Sequence, residues 1–121
     1  MAEILIIDDQ AFMGELLAED LVYEGHHVTF IRDSDYVMVT IEETRPDIVL
    51  LDLYLEGFEG WELLDKIKAY DPIVPVIIVS AYDNFVNDPR LIHADGYFIK
   101  NIKIDALKQQ IYEHLNQATL H

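Results

Sequence analysis

Ile48-Val49-Leu50-Leu51-Asp52 is a continuous apolar run that ends on a carboxylate. A strand with one wet face alternates polar and apolar residues, so an unbroken run of this length predicts a strand buried on both faces. Arg45-Pro46-Asp47 breaks the chain before it, and Gly57 and Gly60 loosen the chain after it. Gly60, Leu63, Leu64 and Ile67 then fall on one helical face. Working back towards the N-terminus, the same unit recurs twice. Residues 3–7 form an apolar run closed by Asp8-Asp9, and Phe12, Leu16, Leu17 and Leu21 follow at helical spacing. Residues 27–31 are rich in β-branched and aromatic side chains, and Ser34 can cap a helix carrying Val37 and Ile41. Working forward, the apolar stretch 73–79 contains a fourth strand at 76–79, and residues 97–99 make a fifth. Leu107, Ile111 and Leu115 mark a closing helix. The fourth unit is the weakest: residues 83–95 carry Pro89 and little periodicity, which predicts a short or irregular helix.

Strands that alternate with helices imply a parallel sheet covered on both faces. The pattern is α/β, a (βα)5 doubly wound three-layer sandwich with the flavodoxin-like strand order 2-1-3-4-5. In such a sheet the binding crevice lies outside the carboxyl ends of the strands.

Length and composition narrow the classes. The 121 residues suit one domain spanning 1–121, and 51% hydrophobic residues make it globular. Eight Lys and Arg against 23 Asp and Glu leave a formal charge of -15, which repels nucleic acid and anionic lipid. No apolar stretch approaches the roughly 20 residues of a membrane span, and the acidic pair at Asp8-Asp9 is unlike a signal peptide. The absence of cysteine excludes disulfide and thiolate chemistry and makes the cytoplasm the expected location.

Five polar residues stand just past the strands: Asp8 and Asp9 after the first, Asp52 after the third, Ser80 after the fourth and Lys100 after the fifth. Alone, each has an ordinary reading. An aspartate caps a helix or shapes a turn, a serine bonds to backbone, and a lysine sits on the surface. In a parallel sheet, however, they share one edge. Three neighbouring carboxylates repel and call for a cation. All-oxygen ligation with room for water and phosphate suits Mg²⁺. A calcium loop beginning at Asp52 fails because Tyr54 and Leu63 stand where oxygen ligands are needed. A carboxylate nucleophile, a metal, a lysine and a hydroxyl are the parts of in-line phosphoryl transfer to an aspartate, and Asp52 is the natural acceptor.

At these residues the sequence resembles the receiver domain of bacterial response regulators. Asp8-Asp9 match the acidic pair, Leu50-Leu51-Asp52-Leu53 the phosphoacceptor strand end, Ser80-Ala81 the hydroxyl and small residue, and Asp95-Gly96-Tyr97-Phe98-Ile99-Lys100 the lysine strand. The resemblance implies that Asp9, Asp52 and the Tyr54 backbone carbonyl ligate Mg²⁺ while Asp8 helps to position it. It implies that Ser80 and Lys100 bind phosphoryl oxygens and that Tyr97 is the switching aromatic. It also implies a sensor histidine kinase or phosphotransfer protein as donor, a downstream protein target, and a monomer or weak homodimer. Such a chain is a switch that catalyses only its own phosphorylation and dephosphorylation, and a DNA-binding output requires a further domain. Asn101 and Glu56 stand where the family usually has proline, and the region between Ser80 and Lys100 is about two residues short. Those departures admit a degenerate receiver acting as a constitutive interaction module. An aspartate-nucleophile phosphatase is opposed by the adjacency of Asp8 and Asp9, and a flavodoxin-like cofactor site by their charge. The five histidines lack metal-ligand spacing and are expected at the surface; Trp61 is expected in the core.

Overall fold

The computed structural model describes residues 1–8, 11–55, 58–80, 87–100 and 104–119. β1 (Glu3–Ile7), α1 (Ala11–Tyr23), β2 (His27–Ile31), α2 (Val37–Thr44) and β3 (Ile48–Asp52) open the chain. A two-stranded hairpin, β4 (Tyr54–Leu55) and β5 (Phe58–Glu59), leads into α3 (Gly60–Tyr70). β6 (Val76–Ser80), β7 (Gly96–Ile99) and α4 (Ile104–Thr119) complete it. The main sheet has the order β2-β1-β3-β6-β7 with every pair parallel, the arrangement expected from the sequence.

Side-chain alternation divides the central strands between two apolar layers. Leu5, Ile7, Val49, Leu51, Val76 and Ile78 pack under α2 and α3, meeting Val37, Ile41, Leu63, Leu64 and Ile67. Ile4, Ile6, Ile48, Leu50, Ile77 and Val79 pack under α1 and α4, meeting Leu17, Leu21, Leu107 and Ile111. Burial on both faces is why these strands read as unbroken apolar runs. Each fully buried Leu or Ile contributes about 1.5–3 kcal/mol relative to exposure.

Local chemistry sets several boundaries differently from the sequence reading. The cap before α2 is Asp33, whose carboxylate accepts from the Asp35 N–H at 2.9 Å and opens a 3₁₀ turn at Ser34–Tyr36; Ser34 lies inside that turn. Leu16 is 42% exposed, because one step before Leu17 is about 100° round the helix. The stretch 73–79 becomes strand from Val76, as the sequence reading has it, because Asp71 Oδ1 accepts from the N–H groups of Ile73 and Val74 and turns the chain ahead of it. The fourth unit is irregular, as expected: among the described residues its helical part is a 3₁₀ segment, Pro89–His93, capped by Asp88. His26 and His114 are half-buried rather than on the surface, whereas Trp61 is in the core as expected.

Gly60 has a packing role. A Cβ there would lie 2.5 Å from Leu53 Cα, and its N–H donates to the Leu53 carbonyl at 3.1 Å, so α3 starts directly against the residue after Asp52. Asp95 staples the other end of the sheet. Its Oδ2 accepts from Val76 N–H at 2.8 Å and from Lys68 Nζ at 2.6 Å.

Candidate functional site

Strand termini deliver the candidate residues to one edge. Asp8 follows β1 directly, with its N–H donating to the Ile31 carbonyl of β2 at 3.0 Å. Asp52 is the last residue of β3 and Ser80 the last of β6, in register with Val79 and Ile99 respectively. Lys100 follows β7, and its N–H donates to the Ser80 carbonyl at 2.8 Å. Parallel pairing therefore gathers four residues that are remote in sequence.

Asp8, Asp52 and Ser80 are the buried polar residues among those described, at 5%, 4% and 0% exposure. Burying a charge is costly without compensation. Lys100 supplies it: Nζ lies 2.7 Å from Asp8 Oδ2 and 3.1 Å from Asp52 Oδ2. Burial drives the Lys100 ammonium towards neutrality, but the hydrogen bond it donates to Asp8 and the charges of Asp52 and Asp8 outweigh it and raise its pKa. A small cavity lined mainly by Ile6, Ile7, Leu17, Leu50, Val79 and Leu107 lies against the two carboxylates, so the ion cluster rests on an apolar floor. Low polarity there strengthens each charge interaction.

Asp8 and Asp52 place oxygens close enough for one ammonium to bridge them. Two hard anionic donors converging on one small cationic centre fit a Mg²⁺ ion, which takes a few carboxylates and keeps several waters. Asp9 lies outside the described residues, as do Glu56, Gly57 and Asn101. Tyr54, whose carbonyl the sequence nominated, begins the β4–β5 hairpin and pairs with Glu59. Tyr97 is half-buried, packed against the cluster that contains Leu53 and Trp61. The contact between Lys100 and Asp8 was not anticipated. Their strands are separated in the sheet by β3 and β6, and no sequence spacing reports a distance across them.

Residues 4–112 match the response regulator receiver domain. The chain belongs to the response regulator receiver family. Among its relatives, sporulation initiation phosphotransferase F of Bacillus subtilis is 30% identical over 115 residues, covering 93% of each chain. The nitrogen assimilation regulatory protein NtrX of Azorhizobium caulinodans is 39% identical over 97 residues, which are 78% of this chain and 21% of that protein. The chain thus spans about a fifth of NtrX and nearly all of the phosphotransferase. Solved receivers share its fold. The response regulator TrrA of Thermotoga maritima, crystallised with Mg²⁺ and BeF, superposes with a TM-score of 0.86 at 27% identity, covering 94% of this chain and 99% of that one. A CheY-like receiver from Methanospirillum hungatei gives 0.89 at 28%, covering 97% and 95%. Receivers are signalling modules of two-component systems, and none of these relatives favours the phosphatase or constitutive-module alternatives. Among the described residues no helix is long and apolar enough to cross a membrane.

Proposed function

We propose that residues 1–121 form one receiver domain in which Asp52 accepts a phosphoryl group from the phosphohistidine of a sensor kinase or phosphotransfer protein. A carboxylate oxygen of Asp52 bonds to phosphorus as the P–N bond breaks, and the donor imidazole departs with its electron pair. Asp8, Asp9, Asp52 and the Tyr54 carbonyl would hold Mg²⁺, which supplies positive charge beside the transferring oxygens. Lys100 holds phosphoryl oxygens with its ammonium, kept charged by its two carboxylate neighbours. The Ser80 hydroxyl donates to another oxygen, and Tyr97 follows it inwards. Water later attacks phosphorus and releases phosphate, resetting the switch. A downstream protein in the cytoplasm then meets one of two surfaces.

The single observation that carries this reading is the Lys100 bridge between Asp8 and Asp52 in a buried strand-end pocket. Intact-mass measurement after incubation with acetyl phosphate, with and without Mg²⁺, tests it. One Mg²⁺-dependent phosphoryl adduct that disappears in Asp52→Ala is expected. A folded protein that takes up no phosphoryl group from acetyl phosphate or from a histidine kinase would reject it.

A further inference from the structure

Two segments flank the pocket residues in sequence, a first arm that follows Asp52 and a second at residues 87–95 ahead of β7, and a side-chain stack joins them. The first arm reaches α3 at once. Gly60 sits against Leu53 too closely to admit even a Cβ, so the first turn of α3 abuts the backbone after Asp52 with no slack between them. Trp61, the second residue of that helix and the single tryptophan of the chain, is 7% exposed. It shares its apolar cluster with Leu53.

The second arm carries Arg90, in the Pro89–His93 turn between Ser80 and β7. Its guanidinium carbon lies 4.4 Å from the Trp61 ring centroid, within range of a cation–π contact. Asp88 fixes the edge of the same group: Nε donates to Oδ1 at 3.0 Å and Nη2 to Oδ2 at 2.8 Å. The Arg90 N–H also donates to Asp88 Oδ1 at 2.9 Å. A planar fork held by a carboxylate on its edge and an indole on its face has little freedom. The Asp88 contact is local in sequence and would survive movement of the whole turn. The Trp61 contact spans the two arms and would not. Leu91 and Tyr97 pack on the Trp61 cluster as well, whereas Ile92 between them is 82% exposed, so the turn presents an apolar side chain outwards.

We propose that Arg90 is a positioning residue that couples the phosphorylation state of Asp52 to residues 87–95 through its stack on Trp61. The inference rests on Asp52 being the phosphoacceptor and adds the route by which its state reaches an exposed face.

The full chain is compared with Arg90→Gln, which removes the charge and the guanidinium while keeping a polar amide, and with Arg90→Lys, which keeps the charge and loses the planar fork. Each is treated with acetyl phosphate and Mg²⁺ and read three ways: intact mass, Trp61 emission, and amide hydrogen exchange of residues 87–95. Wild type is expected to change in all three. Arg90→Gln should form the adduct to within about twofold of wild type and lose more than half of the exchange response, with Arg90→Lys in between. An exchange response in Arg90→Gln equal to wild type would overturn the coupling, as would loss of the adduct in Arg90→Gln alone, which would make Arg90 part of the chemistry. Absence of the adduct from wild type would remove the phosphoacceptor reading and this inference with it. Circular dichroism separates these outcomes from misfolding, and Arg90→Lys carries the comparison should Arg90→Gln fail to fold.

Discussion

At the scale of single residues, the pocket is a balance of three buried charges. Lys100 holds Asp8 and Asp52 together, and its side chain is 8% exposed against 7% and 4% for theirs. Removing one partner of such a cluster leaves uncompensated charge, at a cost of about 3 kcal/mol. Lys100→Met should therefore unfold at lower urea concentration than wild type, and added Mg²⁺ should recover more stability in the variant than in wild type. Equal midpoints in the absence of Mg²⁺ would refute this. The pH dependence has a definite sign. The folded pKa of Lys100 is raised, so its stabilisation is complete below the unfolded value near about 10.4 and is lost as pH rises through the folded value. Asp52, Ser80 and Lys100 were legible in the sequence because each is a polar residue directly after an apolar run. The Asp8–Lys100 contact was not, since it depends on how far a side chain on an edge strand reaches across the sheet.

At the scale of elements, α4 is tied to α1 and to the start of β2 by a directional hydrogen-bond chain. Tyr112 on α4 donates its hydroxyl proton to Glu24 Oε2, beyond the end of α1. The Tyr112 oxygen then accepts from His26 Nε2 at 3.2 Å, leaving His26 Nδ1 to accept from the Ala2 N–H at 3.1 Å. Lys108 Nζ reaches Glu24 Oε1 at 2.5 Å from one turn earlier on α4. Burial, and then the hydrogen bond to the Glu24 carboxylate, push the Tyr112 phenol up to about 12. Because neutral Tyr112 is favoured in the folded state, this contribution is intact below the unfolded value near about 10 and disappears as pH rises through about 12. Ultraviolet titration should show one tyrosine ionising near there, and Tyr112→Phe should delete that step. A titration unchanged by the substitution would contradict the seam. The sequence showed the Leu107, Ile111, Leu115 stripe of this helix. It did not show the polar seam beside it, because helical periodicity identifies a buried face and not the groups that border it.

At the scale of the whole molecule, a formal charge of -15 on 121 residues means that folding gathers like charges. Raising NaCl from about 10 mM to about 150 mM shortens the screening length from about 30 Å to about 8 Å. The thermal midpoint should rise by a few degrees; a flat or falling midpoint would show that local ion pairs outweigh the general repulsion. The sequence by itself determined the architecture and the meeting of Asp8, Asp52, Ser80 and Lys100 at the strand ends. Burial on both faces writes continuous apolar runs, helices write a 3.6-residue stripe, and a parallel sheet must bring its carboxyl ends together. Tertiary structure alone decided which charges touch, where the cap before α2 lies, and how Gly60 and the Arg90–Trp61 stack join the two arms of the pocket. These depend on ångström-scale distances between residues remote in the chain, and residue type and spacing do not encode such distances one by one.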